Sequence, residues 1–326
     1  MIQKNAVTTV AFAENLTHRY GDRLALDNLS FSVSSGEILG LLGPNGGGKT
    51  TTFRILSTLA KPTSGRASIL GFDLLTQTTD VRRQIGVVFQ APSLDKTPTA
   101  YENLAYQGQL YGLSGATLRS RIDEVLTHVG LRDRANEKVD AFSGGMRRRV
   151  EIAKGLLHRP KLLLLDEPST GLDPGARAAL WDYLSRLARE DGVSCILTTH
   201  FMDEAAQCQR VAILNQGRCV ALDAPAKLCA SVGGDVVTVR GENPAALQQE
   251  INRRFQWAAT LVDNAVRIEH ERGHEIVVQL VEAFPGRIDS VTYSRPTLED
   301  VFVHFTGQAF GREDERVAVA GGSAKR

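Results

Sequence analysis

The alternation of apolar and polar residues predicts strands and a helix in the first part of the chain. Residues Leu29–Val33 (LSFSV) alternate apolar with small polar residues, which is typical of a half-buried strand. Residues Glu37–Leu42 (EILGLL) are almost continuously apolar and lead into a glycine-rich segment, which predicts a buried strand and a tight turn. Residues Thr50–Leu59 then predict a helix. The order strand, turn, helix indicates an α/β unit.

The middle of the chain continues this alternation. Residues 91–158 are mostly helical in pattern, with turn signals at Pro92, Pro98, 112–115 and 130–133. Apolar runs then predict strands at Leu162–Leu165, Val193–Thr198 and Val211–Leu214. One amphipathic stretch predicts a helix at Pro174–Glu190. A turn signal at 215–217 predicts a hairpin into Arg218–Ala221. Strands that alternate with helices favour a mainly parallel sheet.

The pattern changes after Ser231. Here it predicts strands and helices of a small appended α+β domain: strands at Asp235–Arg240, Glu275–Leu280 and Ile288–Tyr293, and helices at Ala245–Phe255 and Leu298–Phe305. Residues 311–326 are small, polar and charged, which predicts a disordered tail.

Composition narrows the possible partners. The 326 residues carry 38 Lys+Arg against 37 Asp+Glu, so the chain has almost no net charge that would attract nucleic acid. We therefore expect no nucleic-acid partner. The four cysteines form no CxxC pair, which argues against a metal or disulfide framework. We find no run of about 18 apolar residues and no apolar signal core, so we expect a cytoplasmic chain whose membrane work would need another subunit.

A phosphate-binding loop is predicted between the buried strand and the first helix. The segment matches G-x-x-x-x-G-K-[ST] and consists of Gly43, Pro44, Asn45, Gly46, Gly47, Gly48, Lys49 and Thr50. Glycines allow successive backbone N–H groups to face the phosphates, and the helix N-terminus adds partial positive charge. Lys49 can then reach the β- and γ-phosphates while the Thr50 hydroxyl ligates Mg²⁺. A chance glycine-rich turn is the alternative.

Adjacent acids follow the four leucines of the next predicted strand. Asp166 is positioned to hold Mg²⁺, directly or through water, if its strand neighbours the phosphate loop. Glu167 can polarise the attacking water as a general base, and repulsion between the two carboxylates favours a raised pKa in one of them. A plain strand exit would explain only one of these acids.

The segment FSGGMRRR at 142–149 raises a separate question. Ser143, Gly144 and Gly145 precede an amphipathic stretch, so they lie at a helix N-terminus, which suits a phosphate. Because the chain already has a phosphate loop, this second element makes sense if it covers the nucleotide of another copy. A plain N-cap would explain Ser143 but not the glycine pair. The three arginines fan around the helix, so we expect one to meet phosphate or an acid and the others to be solvated.

The ordered set of motifs resembles the nucleotide-binding subunits of ATP-binding-cassette (ABC) transporters over about residues 12–230. GPNGGGKTT is similar to their Walker A motif, FSGGM to the signature motif and LLLLDEP to Walker B. The resemblance extends to the Q-loop, the D-loop, the switch histidine and the adenine-stacking aromatic, which correspond to Gln90 in GVVFQ, Asp173 in GLD, His200 in ILTTH and Tyr20.

This resemblance implies the fold and the domain limits. It implies an α/β P-loop NTPase (RecA-like) core with a mainly parallel sheet, an antiparallel β-subdomain and a helical subdomain, plus the small C-terminal α+β domain. The expected parts are an N-terminal extension (1–11), the ATPase domain (12–230, with the helical subdomain at about 91–160), an accessory domain (231–310) and the tail (311–326).

The resemblance also implies site roles. Glu167, His200 and Gln90 would be catalytic: His200 would contact the γ-phosphate, and Gln90 would sense the attacking water and Mg²⁺. The Mg²⁺ set would be Thr50, Gln90 and Asp166, and the nucleotide would further contact Thr51, Tyr20, Asp173 and the Ser143–Gly145 turn. Each of four residues has an alternative role. His200 and Tyr20 would be core residues, and Gln90 would be a strand-end residue. Asp173 would cap a helix N-terminus, a role that it can combine with the D-loop role.

The expected function is an ATPase that powers a membrane transporter. ATP would close a head-to-tail homodimer, hydrolysis would reopen it, and a polytopic permease would bind the segment after Gln90 at the cytoplasmic face. FSGGM departs from the usual LSGGQ at Phe142 and Met146, and with the tail Thr297–Gly307 it resembles ABC-2 drug- and polysaccharide-export ATPases. The alternatives are an importer ATPase, a non-transport ABC ATPase acting on nucleic acid or ribosomes, and a non-hydrolysing scaffold, which Glu167 and His200 disfavour.

Overall fold

The computed structural model describes residues 8–310, and the chain divides into two compact units. The first unit ends at Cys219 and the second begins at Val220, earlier in the chain than the boundary expected after residue 230. The expected tail at 311–326 and most of the expected N-terminal extension lie outside the described residues. The domain limits drawn from the sequence therefore stay a prediction.

The first unit contains ten strands and seven α-helices within the described residues, counting one strand that crosses its end. The strands are β1 (Thr9–Tyr20), β2 (Arg23–Ser34), β3 (Ile38–Leu42), β4 (Ser64–Ile69), β5 (Phe72–Asp73), β6 (Ile85–Val88), β7 (Leu162–Asp166), β8 (Ser194–Thr199), β9 (Arg210–Asn215) and β10 (Arg218–Asp223). The helices are α1 (Lys49–Leu56), α2 (Thr78–Gln84), α3 (Ala100–Leu110), α4 (Gly115–His128), α5 (Gly144–Leu156), α6 (Pro174–Glu190) and α7 (Met202–Ala205).

A mainly parallel sheet forms the centre of this unit. Its order is β10-β9-β3-β8-β7-β6, and the strands from β9 to β6 run parallel to one another. Strands β3, β7 and β8 are buried throughout, which explains their unbroken apolar runs. Because parallel strands end at the same edge, the residues after β3, β6, β7 and β8 are brought together.

Two smaller layers complete the first unit. Strands β2-β1-β4-β5 form an antiparallel sheet, and α3, α4 and α5 form the helical insertion between β6 and β7. Helix α3 begins with a capping box in which Thr99 and Glu102 exchange hydrogen bonds with each other's backbone. The predicted fold class is confirmed: a P-loop α/β core with an antiparallel β-subdomain and a helical subdomain.

The second unit is an α+β domain. It contains α8 (Pro225–Ala230), β11 (Asp235–Gly241), α9 (Pro244–Phe255), β12 (Thr260–Val262), β13 (Ala265–His270), α10 (Gly273–Ala283), β14 (Ile288–Ser294) and α11 (Leu298–Thr306). Its sheet has the order β12-β13-β11-β14 with every pair antiparallel. The order β-α-β-β-α-β from β11 to β14 is that of a split β-α-β, ferredoxin-like unit.

One predicted strand of this unit is wrong. Glu275–Leu280 belongs to helix α10, where Ile276 and Leu280 are buried one turn apart while Val278 is 57% exposed. The β-branched residues favour a strand by propensity, but packing of the Ile276 face against the sheet favours the helix. The strand actually present is β13, preceded by β12, and the sequence pattern predicted neither of them.

Candidate active site

The loop between β3 and α1 is folded around a buried lysine. The ammonium of Lys49 donates hydrogen bonds to the carbonyls of Gly43 (2.6 Å) and Pro44 (3.0 Å), and the residue is 4% exposed. Gly48 has φ 108°, and a Cβ there would lie 2.8 Å from Leu26 Cδ2, so this position requires glycine. The loop conformation of a phosphate-binding turn is thus already formed by the chain's own contacts.

A groove opens beside this loop. It is lined by Tyr20, Arg23 and Ala25 and by the loop and helix residues Pro44, Asn45, Gly46, Gly48, Lys49, Thr50 and Thr51. The Tyr20 ring is 44% exposed and contacts the His18 ring edge-on, with centroids 4.5 Å apart. The alternative that Tyr20 is a core residue is therefore wrong. Gly43 and Gly47 lie behind the groove, where a Cβ on either would press on the carbonyl of Leu214.

Three predicted catalytic side chains meet at the carboxyl edge of the sheet. Glu167 Oε2 accepts a hydrogen bond from Gln90 Nε2 at 3.0 Å, and Glu167 Oε1 lies 3.3 Å from His200 Nδ1. Glu167 has a left-handed backbone (φ 42°), and its N–H donates to Thr198 Oγ1 at 3.0 Å. The ends of β6, β7 and β8 thus place a carboxylate between an amide and an imidazole.

The neighbouring Asp166 is buried and held by the same threonine. Thr198 Oγ1 donates to Asp166 Oδ1 at 2.6 Å. Burial, and secondarily the charge of Glu167, raises the pKa of the Asp166 carboxyl, while the Thr198 hydrogen bond and the charges of Lys49 and Arg148 oppose that shift. A buried carboxylate beside a second one is a favourable environment for a divalent cation.

This raised pKa predicts a stability effect at Asp166. Because the pKa is raised, the folded chain keeps the Asp166 proton at pH values where the unfolded chain has already lost it. At higher pH the buried carboxyl must ionise in the folded chain, which lowers the free energy of unfolding. We expect Asp166→Asn to raise the melting temperature of the nucleotide-free chain at pH 7–8. The rise should be about 2–4 °C for each kcal/mol by which the free energy of unfolding increases. The gain should shrink as the pH falls towards 4. Thermal unfolding measured across pH checks this, with the exposed Asp182→Asn on α6 as control; a gain that persists at low pH would contradict it.

The signature residues lie at the N-terminus of α5. Ser143 is the N-cap and accepts a hydrogen bond from the N–H of Met146 at 3.3 Å. Gly145 is buried against α6, where a Cβ would lie 2.7 Å from that of Ala176. Asp173 caps α6 by accepting from the N–H of Ala176 at 2.9 Å, which confirms its predicted capping role. The residues that line the Tyr20 groove do not include this turn.

The three arginines after the signature are all engaged, so the prediction that two are solvated is wrong. Arg147 donates to the carbonyls of Val139 and Asp140, and Arg149 to that of Val129. Arg148 is buried and paired with Glu151 at 2.7 Å, which confirms that one arginine meets an acid. Its guanidinium also donates to three main-chain carbonyls near the cluster of Gln90, Glu167 and His200. The i,i+3 spacing of Arg148 and Glu151 was the signal in the sequence.

A buried glutamate behind His200 was also missed. Glu204 is 1% exposed and accepts hydrogen bonds from Thr199 Oγ1 (2.7 Å) and from the Ser169 hydroxyl. Arg177 of α6 lies 3.7 Å from the same carboxylate. These contacts join the strand end before His200, the turn after Glu167 and the helix capped by Asp173.

Comparison with known proteins decides the family. A family model described as ABC transporter matches residues 26–170. The chain is 36% identical to the linearmycin resistance ATP-binding protein LnrL of Bacillus subtilis, with 91% of this chain and 98% of that protein covered. It is 42% identical to the Nod factor export ATP-binding protein I of Burkholderia lata, with 90% and 96% covered. The chain belongs to the ABC transporter ATP-binding subunits.

Solved structures agree with this family. An ATP-binding cassette solved as a dimer in a post-hydrolysis state, bound to ADP and Pi, matches with a TM-score of 0.60 and 30% identity. The match covers 66% of this chain and 98% of that one. The chain is thus an ATP-binding ABC ATPase.

Proposed function

We propose that this ABC ATPase powers an ABC-2 type exporter by closing on ATP as a head-to-tail homodimer. The observation that carries the proposal is the cluster of Gln90, Glu167 and His200 at the sheet edge. A carboxylate held between an amide donor and an imidazole is suited to polarise a water molecule in line with a phosphate. This arrangement has no use in a scaffold that only binds nucleotide.

Each part of the site has a role in hydrolysis. The backbone amides of the Gly43–Thr51 segment and Lys49 bind the β- and γ-phosphates, and Tyr20 stacks on adenine. Thr50, Asp166 and Gln90 would hold Mg²⁺ through oxygen ligands, and the ion would supply positive charge against the developing phosphate charge. Glu167 accepts a proton from the attacking water, and His200 donates a hydrogen bond to the γ-phosphate.

A second copy completes the site. Ser143 and Gly144 are exposed at the N-terminus of α5, and this turn does not line its own chain's Tyr20 groove. Such an N-terminus binds anionic groups through its unpaired N–H donors. In a two-fold dimer each copy caps the ATP of the other, with Asp173 beside the shared interface. A related ATP-binding cassette that was solved as a dimer bound to ADP and Pi supports a dimer here.

Export is supported by the relatives and by the chain's own variant motifs. One relative is named for Nod factor export and another for linearmycin resistance. The SGGM form of the signature and the Thr297–Gly307 segment, which contains helix α11, resemble those of ABC-2 export ATPases. We therefore place the chain at the cytoplasmic face of the membrane, where it drives outward movement of a substrate.

The permease contact is proposed at a groove of the helical insertion. Among residues 8–310, no helix has the length and apolar character needed to cross the bilayer. A groove of about 270 Å³ lies between the sheet and α3 and α5, lined in part by Phe89, Tyr111 and His158. Beside it Leu110 is 82% exposed and Tyr106 is 54% exposed. Exposed apolar residues around a concave surface suit a helix of a membrane subunit.

The test is affinity purification from mild-detergent membrane extract with mass spectrometry of bound proteins. We expect the wild-type chain to bring down a stoichiometric polytopic membrane protein. The Leu110→Asp variant should bring down at least about tenfold less of this protein, because binding would bury an unpaired charge. The exposed Val278→Asp on α10 is the matched control and should retain the partner. Capture of soluble proteins or nucleic acid alone would contradict the transporter proposal.

A further inference from the structure

A buried arginine of the signature helix α5 donates hydrogen bonds to the backbone on both sides of Glu167. Arg148 is 8% exposed, and its Nε donates to the carbonyl of Pro168 at 2.8 Å. Its Nη2 donates to the carbonyl of Asp166 at 3.1 Å. These carbonyls belong to the residues immediately before and after Glu167, whose backbone is left-handed. One guanidinium therefore fixes the turn that aims the Glu167 carboxylate.

The same guanidinium also fixes the strand end that carries Gln90. Arg148 Nη1 donates to the carbonyl of Phe89, the residue before Gln90, at 2.6 Å. Gln90 in turn donates to Glu167 at 3.0 Å. The two partners of this hydrogen bond are thus held from behind by one side chain, and their separation depends on it.

Glu151 compensates the buried charge and extends the connection. Its carboxylate accepts from Arg148 Nη1 at 2.7 Å and from the N–H of Ser93 at 2.8 Å. Lys154 lies one turn farther along α5 and donates to the Ser93 carbonyl at 2.8 Å. Successive turns of α5 therefore bind the segment from Phe89 to Ser93, and Arg148 also binds the turn around Glu167.

We infer that Arg148 and Glu151 form a positioning pair that aligns Gln90 and Glu167 according to the position of the signature helix. The inference rests on the proposed roles of Glu167 and the signature turn. Because that turn begins the same helix, engagement of a second copy's nucleotide by Ser143 shifts the element that holds this chain's own base. Each site of the dimer is thereby made sensitive to the closure of the other.

Arginine is required because five N–H donors in a planar fork serve four acceptors at once. A lysine keeps the charge but has three donors on one nitrogen and cannot span these carbonyls. In the full-length chain we expect Arg148→Lys to lower kcat for ATP at least about tenfold while KM and the ATP Kd change less than about threefold. Arg149→Lys is the control, since Arg149 donates to the Val129 carbonyl away from the cluster.

A second variant separates positioning from stability. Arg148→Met combined with Glu151→Leu removes both buried charges together, which an apolar core tolerates better than the loss of one. We expect it to fold and bind ATP but to show the same loss of kcat. Wild-type kcat in a folded variant would overturn the inference, and so would failure of every variant to fold, which would assign the pair to stability alone.

The Glu167→Gln variant, measured in parallel, keeps the two proposals apart. If it loses turnover while Arg148→Lys does not, the positioning role fails and the proposed function stands. If Glu167→Gln turns over ATP normally, the roles on which the inference rests fail with it.

Discussion

Replacement of Glu167 by glutamine should lower ATP turnover by about 10²–10⁴-fold, the range of a general base, and leave ATP binding intact. Glutamine keeps the size of the side chain that lies between Gln90 and His200 but cannot accept a proton from water. Since the binding loop around Lys49 is unchanged, ATP should still close the dimer, and closed dimers should accumulate.

Phosphate release, ATP binding by calorimetry and the oligomeric state by light scattering measure these effects on the same samples. The exposed Glu190→Gln at the end of α6 is the matched control and should behave as the wild-type chain. Unchanged turnover in Glu167→Gln would remove this residue from the role of base. Lost ATP binding would show instead that the substitution damages the phosphate site.

The sequence predicted the main features of the site because its motifs lie at strand ends. Once Leu162–Leu165 was recognised as a buried parallel strand, Asp166 and Glu167 had to lie at the carboxyl edge of the sheet, as did the residues after β3 and β8. The structure brings Gln90 and His200 to Glu167 in accordance with this expectation. Turn chemistry likewise identified Asp173 as the cap of α6.

What the sequence did not predict depends on long-range packing. The sequence predicts that one of the three arginines meets a phosphate or an acid, but it does not single out Arg148, since nothing local reveals that Phe89, Asp166 and Pro168 present carbonyls to it. Glu204 was missed for the same reason, because Ser169 and Arg177, which contact its carboxylate, come from distant segments. In α10 the β-branched residues favoured a strand, and only burial of the Ile276 face in the second unit decides for a helix.

Lys49→Ala should weaken ATP binding by about 10–100-fold, since each lost charge-assisted hydrogen bond to phosphate contributes roughly 1.5–3 kcal/mol. The ammonium is buried and already directed into the loop by the Gly43 and Pro44 carbonyls. ATP affinity measured by calorimetry checks this, and the exposed Lys61→Ala should keep wild-type affinity. Wild-type affinity in Lys49→Ala would contradict the assignment of the phosphate loop.

Mixing the Lys49→Ala variant with a Ser143→Arg variant tests most directly whether each ATP site is formed by two chains. Ser143→Arg alone should be inactive, because the added side chain blocks the exposed N-terminus of α5 that faces the second copy's ATP. In a mixed head-to-tail dimer the intact loop of one chain faces the intact Ser143 of the other. Random pairing should then restore ATPase activity, at most about a quarter of the wild-type rate, because half of the dimers are mixed and each has one intact site. A mixture no more active than its separate components would contradict the shared site.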